Sequence, residues 1–235
     1  MDKNYSVAGN KMQIRRMFKH DIDEILNIYS QYSSLYHNPV NPVFINDVLL
    51  NGEIWGIYID NSLSACCYFF PLKSKFYQNS AFYQSIADFT QEPEKYFFMG
   101  YVGISEEIRN KNSRENFQKT IYALFLNIAQ MQAFRYGFKY VMHCMPIKMS
   151  QCMPCMFSEK FSLIKLRGLE NLVVHYIFSK PIYCGENTMA TDIEHTEKIS
   201  AKNTKILSKM LEHGYYAADI INIDREPVFL LNKNQ

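Results

Sequence analysis

Arg109 opens a polar run, Arg109-Asn110-Lys111-Asn112-Ser113-Arg114, between an apolar, glycine-spaced stretch (YFFMGYVGI, residues 96–104) and a long amphipathic segment from Glu115 to about Tyr136. A turn that feeds a helix N-terminus presents backbone N–H groups without intrahelical partners, and the aligned peptide dipoles add positive potential there. Such a place attracts phosphate, and a neighbouring guanidinium adds charge-assisted hydrogen bonds. The chemistry indicated is the binding of a phosphate-bearing ligand at the turn from Arg109 to Arg114.

Other residues with reactive side chains lie further along. His143 and Cys144 sit near the end of a strand-like segment, and Cys152 and Cys155 form a CxxC. Neighbouring strand residues point to opposite faces, so His143 and Cys144 do not readily serve one metal together. The six cysteines, Cys184 among them, read as reduced thiols buried as small apolar groups, and no metal is expected. No basic residue is placed to lower the pKa of Cys144 or of the CxxC, so a covalent thiol mechanism is set aside.

These residues need elements to hold them. Residues 1–11 read as a flexible leader, and Met12–Met17 as a strand. A helix follows with Asp21 as its cap or first-turn acid and Ile22, Ile25, Leu26, Ile28 and Tyr29 as its apolar stripe. A helical piece near Phe44–Leu50 precedes two strands, Glu53–Ile59 and Ser62–Phe70, joined by the turn-forming pair Asp60-Asn61. Residues 73–95 read as an irregular insertion. Phe97–Ile104 is a strand, and the long helix behind it buries Phe117, Ile121, Leu124, Phe125, Ile128, Met131 and Gln132. Lys139–Met145 is the next strand, and Phe161–Leu166 with Leu172–Ser179 a hairpin. A boundary at 181–191 leads to a helix over Asp192–Glu212, stopped by Gly214, and a terminal hairpin around Asp224-Arg225.

Composition excludes several classes. Apolar residues are 48% and aromatics 15%, enough for a packed core and too many for a disordered chain. The net charge is +2, with no block of like charges, so no nucleic-acid footprint is present. No apolar run is long enough to span a membrane and the first residues do not read as a signal peptide, which makes the cytoplasm the expected compartment.

The order of elements over residues 12–180 resembles the GNAT acyltransferase superfamily. QIRRMFKHDIDEILNIY is similar to the family's opening strand and helix, and GEIWGIYIDNSLSACCYFF to its first hairpin. YVGISEEIRNKNSR resembles its acetyl-coenzyme A motif, and FSEKFSLIKL the segment before its last hairpin. The motif runs Arg or Gln, two residues, Gly, one residue, Gly or Ala. Arg109 matches it, whereas Asn112 and Arg114 occupy the small-residue positions. Asn112 tolerates a left-handed backbone, which keeps the turn accessible.

The resemblance implies an α/β (α+β) fold: a mixed, mostly antiparallel central sheet flanked by helices, of the acyl-CoA N-acyltransferase type. Residues 12–180 form that domain, and 192–235 a helix-plus-hairpin extension docked on it or on a second subunit, which allows a homodimer. Acetyl-CoA or another acyl-CoA is implied as co-substrate, held at Val102, Ile104, Arg109, Asn110, Lys111, Asn112, Ser113 and Arg114, and the acceptor is an amine of a small molecule or peptide.

Such a transfer needs a base for the ammonium and an acid for the leaving thiolate. The family's glutamate and tyrosine have no clear counterparts, since YFFMGYVGI contains no carboxylate and the later helix reads Cys155-Met156-Phe157-Ser158. His143, Tyr101 and Tyr176 are the remaining candidates. Phe69, Phe70, Phe76, Phe82, Tyr83 and Phe89, with Met145, Met149, Met153 and Met156, read as core or as an apolar acyl pocket. The alternative to an enzyme is a non-catalytic module of the same fold that has lost the cofactor and binds a ligand or partner.

Overall fold

A computed structural model describes residues 3–7, 10–31, 40–73, 90, 92–110, 114–146, 152–168, 174–182 and 197–233. Two units are separated inside its longest helix, Met1–Ala129 and Gln130–Gln235.

The first unit opens with β1 (Lys3–Val7) and β2 (Asn10–Met17), an antiparallel pair. Residues 3–7 of the expected leader are thus a strand. After α1 (Ile22–Ser30), the helix α2 (Pro42–Asn51) starts as its sequence dictates. Pro42 stands in the first turn, and the Asn41 side chain accepts the Phe44 N–H at 2.9 Å. β3 (Glu53–Ile59) and β4 (Ser62–Pro71) form the predicted hairpin, with Asp60 and Asn61 both left-handed at φ 49° and 67°. β5 (Tyr96–Ile104) pairs antiparallel with β4, and the short helix α3 (Glu106–Asn110) follows it.

Adjacent residues of β4 point to opposite faces, and helices cover both. Tyr68 meets Tyr29 of α1 and Phe44 of α2, with ring centroids 6.0 and 5.1 Å apart. Phe69 faces the other way, toward Phe125 of the long helix α4 (Arg114–Arg135). Full burial of such a ring contributes about 2–3 kcal/mol relative to leaving it in water.

A polar network lies under the start of α1. Asp21 stands at the N-cap position of α1, as the sequence predicts, but its carboxylate turns back and bonds to no N–H of that helix. It accepts the Phe18 N–H at 2.8 Å and both ends of the Arg15 guanidinium at 3.0 and 2.7 Å. Arg15 also donates to the Tyr58 hydroxyl and stacks over its ring, while Tyr58 donates to Glu24. Burial alone would raise the Asp21 pKa, yet Arg15 and the Phe18 amide together hold it below the ordinary value.

The second unit contains β6 (Tyr140–Pro146), α5 (Met153–Ser158), β7 (Ser162–Gly168) and β8 (Val174–Pro181). Then come β9 (Glu197–Ser200), α6 (Thr204–Glu212), β10 (Tyr215–Ile223) and β11 (Glu226–Lys233). Antiparallel pairing sets the order β6, β8, β7, β10, β11, β9. The expected helix over 192–212 is corrected among the described residues: Glu197–Ser200 extends along β11, and Thr204–Glu212 is helical. Leu207 and Leu211, one turn apart, are buried, while Ile206 is exposed. Gly214 closes α6 at φ 85°, and Asp224 and Arg225 turn the last hairpin at φ 51° and 67°. Most of the expected boundary at 181–191 and most of the insertion lie outside the described residues. Among the described residues, no helix is long and apolar enough to cross a membrane.

Candidate functional site

Two glycines shape the strand that leads to the turn. β4 and β5 pair as Cys67 with Val102 and Phe69 with Met99, so β5 carries one residue more than β4 between these pairs. That is a β-bulge at Gly100-Tyr101, a device that bends a strand beside functional sites. Gly100 is required because a Cβ there would lie 2.0 Å from the Tyr68 ring. A Cβ on Gly103 would lie 2.6 Å from Ile28 Cγ2, so this glycine lets α1 press against the strand. The approach brings the buried Tyr29 hydroxyl within 2.8 Å of the Tyr101 carbonyl, to which it donates.

The end of β5 is tied down as firmly. Ser105 N–H donates to the Ser64 carbonyl at 2.8 Å, and the chain then enters α3. The sequence predicts Arg109 in an open turn; it lies instead on this one-turn helix, with its N–H on the Ser105 carbonyl. Its guanidinium folds back, donating through Nε to the Ile104 carbonyl and through Nη2 to Gln31 Oε1, both at 3.2 Å. The same Gln31 oxygen accepts the Glu106 N–H at 2.9 Å. Val102 and Ile104 are buried, and Tyr101 is half-buried.

The remaining predicted cofactor residues are placed only in part. Asn110 ends α3 and Arg114 begins α4, while Lys111, Asn112 and Ser113 lie outside the described residues. Among the described residues, the bulged strand runs into a one-turn helix that carries Arg109 back against the end of β5. The Arg109 cation suits an anionic ligand and β5 carries no carboxylate, whereas Glu106 and Glu107 stand on α3.

In the second unit, register pairs His143 with Phe178 and Met145 with Tyr176. His143 and Tyr176 therefore project from the same face of the β6–β8 pair as diagonal neighbours. Both are almost completely buried, at 1% and 2% exposure. Tyr176 sits within an aromatic cluster, 6.5 Å from the Phe178 ring and 5.9 Å from Phe229, while Phe157 of α5 packs edge-on against Phe178. Burial raises its pKa, so the hydroxyl keeps its proton. His175 points to the opposite face and is also buried.

The thiols are inert by the same reasoning. Burial pushes Cys66 up to about 12 and lifts Cys67 and Cys144 well above the ordinary thiol range. Cys152 and Cys155 are buried at α5, and no metal-binding group of His, Cys, Asp or Glu occurs among the described residues. Glu106 and Glu107 are exposed, as expected of surface acids.

Several polar groups held by long-range contacts, in either unit, carry no sequence signal. Gln31 is a lone polar residue after α1 whose role depends on long-range contacts. Glu53 is a buried carboxylate on β3, held by Trp55 Nε1 at 2.8 Å and Arg16 at 3.2 Å. Lys180 donates to the Glu159 carbonyl at 2.6 Å beneath the Phe161 ring, and burial lowers its pKa. The bulge was detectable in principle, because Gly100 and Gly103 interrupt an otherwise apolar strand.

No protein-family model matches the sequence, and no curated protein matches it either. Solved structures do. A candidate acetyltransferase from Salmonella typhimurium, seen with its cofactor acetyl-CoA, is 11% identical, with 76% of this chain and 98% of that chain covered and a TM-score of 0.53. The ribosomal-protein-S18-alanine N-acetyltransferase of Escherichia coli is 9% identical over 75% of this chain and 97% of that one, with a TM-score of 0.52. A GNAT-family acetyltransferase from Listeria monocytogenes is 10% identical over 76% and 99%, at 0.51. At these identities the likeness shows a shared fold, and it extends over nearly the full length of each neighbour.

Proposed function

We propose that this chain, whose fold is that of the GNAT N-acetyltransferases, transfers an acyl group, most simply acetyl, from an acyl-CoA thioester to an amine of a small molecule or peptide. The observation that carries the reading is the coincidence of that fold with Arg109 standing between the bulged β5 and the start of α4. When bound, the thioester supplies an electrophilic carbonyl: the amine nitrogen bonds to its carbon, the C–S bond breaks, and the sulfur takes a proton. On this reading the chain at Val102, Ile104 and Arg109 to Arg114 holds the pyrophosphate-bearing part of the donor. Tyr101 at the bulge is the proposed acid within the first unit, and His143 and Tyr176, the other candidates, are buried in the second unit and are assigned no place at the bound donor.

A second reading is supported by one feature. The Arg109 guanidinium is engaged with Gln31 and the Ile104 carbonyl, as expected if the turn is held for structure alone in a non-catalytic binding module. The two are separated by incubating the protein with acetyl-CoA and a panel of primary amines and peptides while following free thiol release and acylated product by mass spectrometry. Amine-dependent thiol release, weakened in Arg109→Ala and in Tyr101→Phe with the fold intact, is the outcome expected of the enzyme. Thiol release no faster than buffer with every acceptor favours the module.

A further inference from the structure

We infer that the Tyr29 hydroxyl, with the Cys67 thiol as its counterpart on the other bulge carbonyl, positions Tyr101 by holding the backbone of the β5 bulge, so that the Tyr101 phenol keeps one orientation. The inference rests on reading Tyr101 as the acid of an acyl transfer. Between the pairs Cys67–Val102 and Phe69–Met99, β4 has Tyr68 alone where β5 has Gly100 and Tyr101. An extra residue leaves the regular ladder, and its backbone polar groups then need partners from elsewhere. Each carbonyl of the bulge has a side-chain donor. Tyr29 of α1 donates to the Tyr101 carbonyl at 2.8 Å, and the Cys67 sulfur lies 3.6 Å from the Gly100 carbonyl.

The two donors differ in strength. A phenol has one proton, so the 2.8 Å contact to Tyr101 is the hydrogen bond and the 3.4 Å approach to the Cys66 carbonyl a weak second branch. Burial keeps Cys67 protonated and therefore a donor, but a weak one, whose single proton is shared with the Tyr68 carbonyl at 3.7 Å. Tyr29 is itself held in place. It is 2% exposed, its ring lies tilted against Tyr68 at 6.0 Å, and the absence of a side chain at Gly103 leaves it room beside the strand. Its hydroxyl is thus a fixed point on α1, 72 residues from Tyr101 in sequence. Tyr101 is only half-buried, so packing does less to hold it. Fixing its carbonyl fixes the backbone rotation that aims its side chain, and a proton donor has to be held within about 10–20° of its productive direction. Without the Tyr29 hydroxyl the carbonyl would turn toward another donor and carry the phenol with it.

The test is a double-mutant cycle on steady-state thiol release, with acetyl-CoA and the acceptor of the panel that gives the fastest wild-type rate. Tyr29→Phe removes one hydroxyl and leaves the ring contacts; Tyr101→Phe removes the acid. Tyr101→Phe should lower kcat on the order of a hundredfold. Tyr29→Phe should lower kcat on the order of tenfold and leave KM for acetyl-CoA within about twofold of wild type. Added to Tyr101→Phe, it should cost no more than about twofold, because a residue that acts through the phenol has nothing to position once the phenol is gone. A wild-type kcat in Tyr29→Phe overturns the inference and leaves the acyl-transfer reading standing. A loss of the same size in the Tyr101→Phe background also overturns it, since that marks a general effect on the fold. Wild-type activity in Tyr101→Phe overturns the assignment of the acid, and the inference with it, while transfer itself stands. No acceptor-dependent thiol release by the wild-type chain overturns the underlying reading and the inference together. If Tyr29→Phe does not fold, Cys67→Ala replaces it in the cycle. Its kcat should fall about threefold, and the loss should vanish in the Tyr101→Phe background. A loss that persists there, or no loss at all, overturns the inference.

Discussion

At the scale of single residues, the account rests on polar groups that reach across sequence. Arg15 is 23% exposed and its partner Asp21 is buried, so the pair lies where removing one charge leaves the other poorly solvated. Asp21→Asn should cost about 2 kcal/mol at neutral pH, read by urea unfolding. Its folded pKa lies below the ordinary 3.8, so the stabilisation is complete above that value and is lost as pH falls through the folded pKa. The gap between wild type and Asp21→Asn should therefore close as pH falls below about 4; a gap that stays constant to pH 2 contradicts the pairing. Arg109's place after the strand was legible in the sequence because it is local, although it lies on a one-turn helix and not in the expected turn. Arg15, Gln31 and Glu53 were not, since their partners are set by strand register and by which helix packs where. Asp21 was assigned to the right helix end and the wrong partner, because Arg15 outcompetes the helix amides for its carboxylate.

At the scale of elements, turns and glycines decide most. Asn61 holds φ 67° in the β3–β4 hairpin, and Asn61→Val should cost about 1–2 kcal/mol in denaturant unfolding by placing a β-branched residue there. Gly100→Ala presses a methyl into the Tyr68 ring and should lower stability by about 2–3 kcal/mol, with the bulge itself displaced. A Gly100→Ala chain of wild-type Tm would show that Tyr68 yields freely and that the bulge does not depend on this contact. The hairpins were readable because Asp-Asn and Asp-Arg pairs between apolar runs are local signals, of moderate strength without the usual glycine. The span 192–212 misled because isoleucine suits both a helix stripe and a strand. Pairing of Glu197–Ser200 with β11 is a tertiary choice that overrides it. The apolar face of α4 was readable only as a periodicity: Ile121, Phe125, Ile128 and Gln132 are buried as expected, while Met131 is exposed and Tyr122, Leu126 and Ala129 take the inner positions.

At the scale of the whole molecule, the C-terminal segment belongs to the second unit's sheet. Ala217 of β10 pairs with Leu163 of β7, and Phe229 of β11 packs against Phe157 and Tyr176. Truncation after Ile182 should expose these rings and yield a chain that aggregates or loses cooperative unfolding, measured by light scattering and thermal melting. A soluble, cooperatively folding truncation would show that β9–β11 and α6 are dispensable. The fold was recoverable from the order of elements and a few motif-like segments, even at sequence identities near the 9–11% of the solved neighbours. The candidate site was less legible, because Asn112 and Arg114 stand where the motif that the sequence resembles has small residues. The central claim is that the turn beginning at Arg109 holds coenzyme A, and titrating acetyl-CoA while following Tm tests it most directly. Ligand at 100 times its dissociation constant should stabilise the wild-type chain by about 2.7 kcal/mol, and Arg109→Ala should remove most of that gain. No shift at millimolar acetyl-CoA, or an equal shift in Arg109→Ala, would contradict the account.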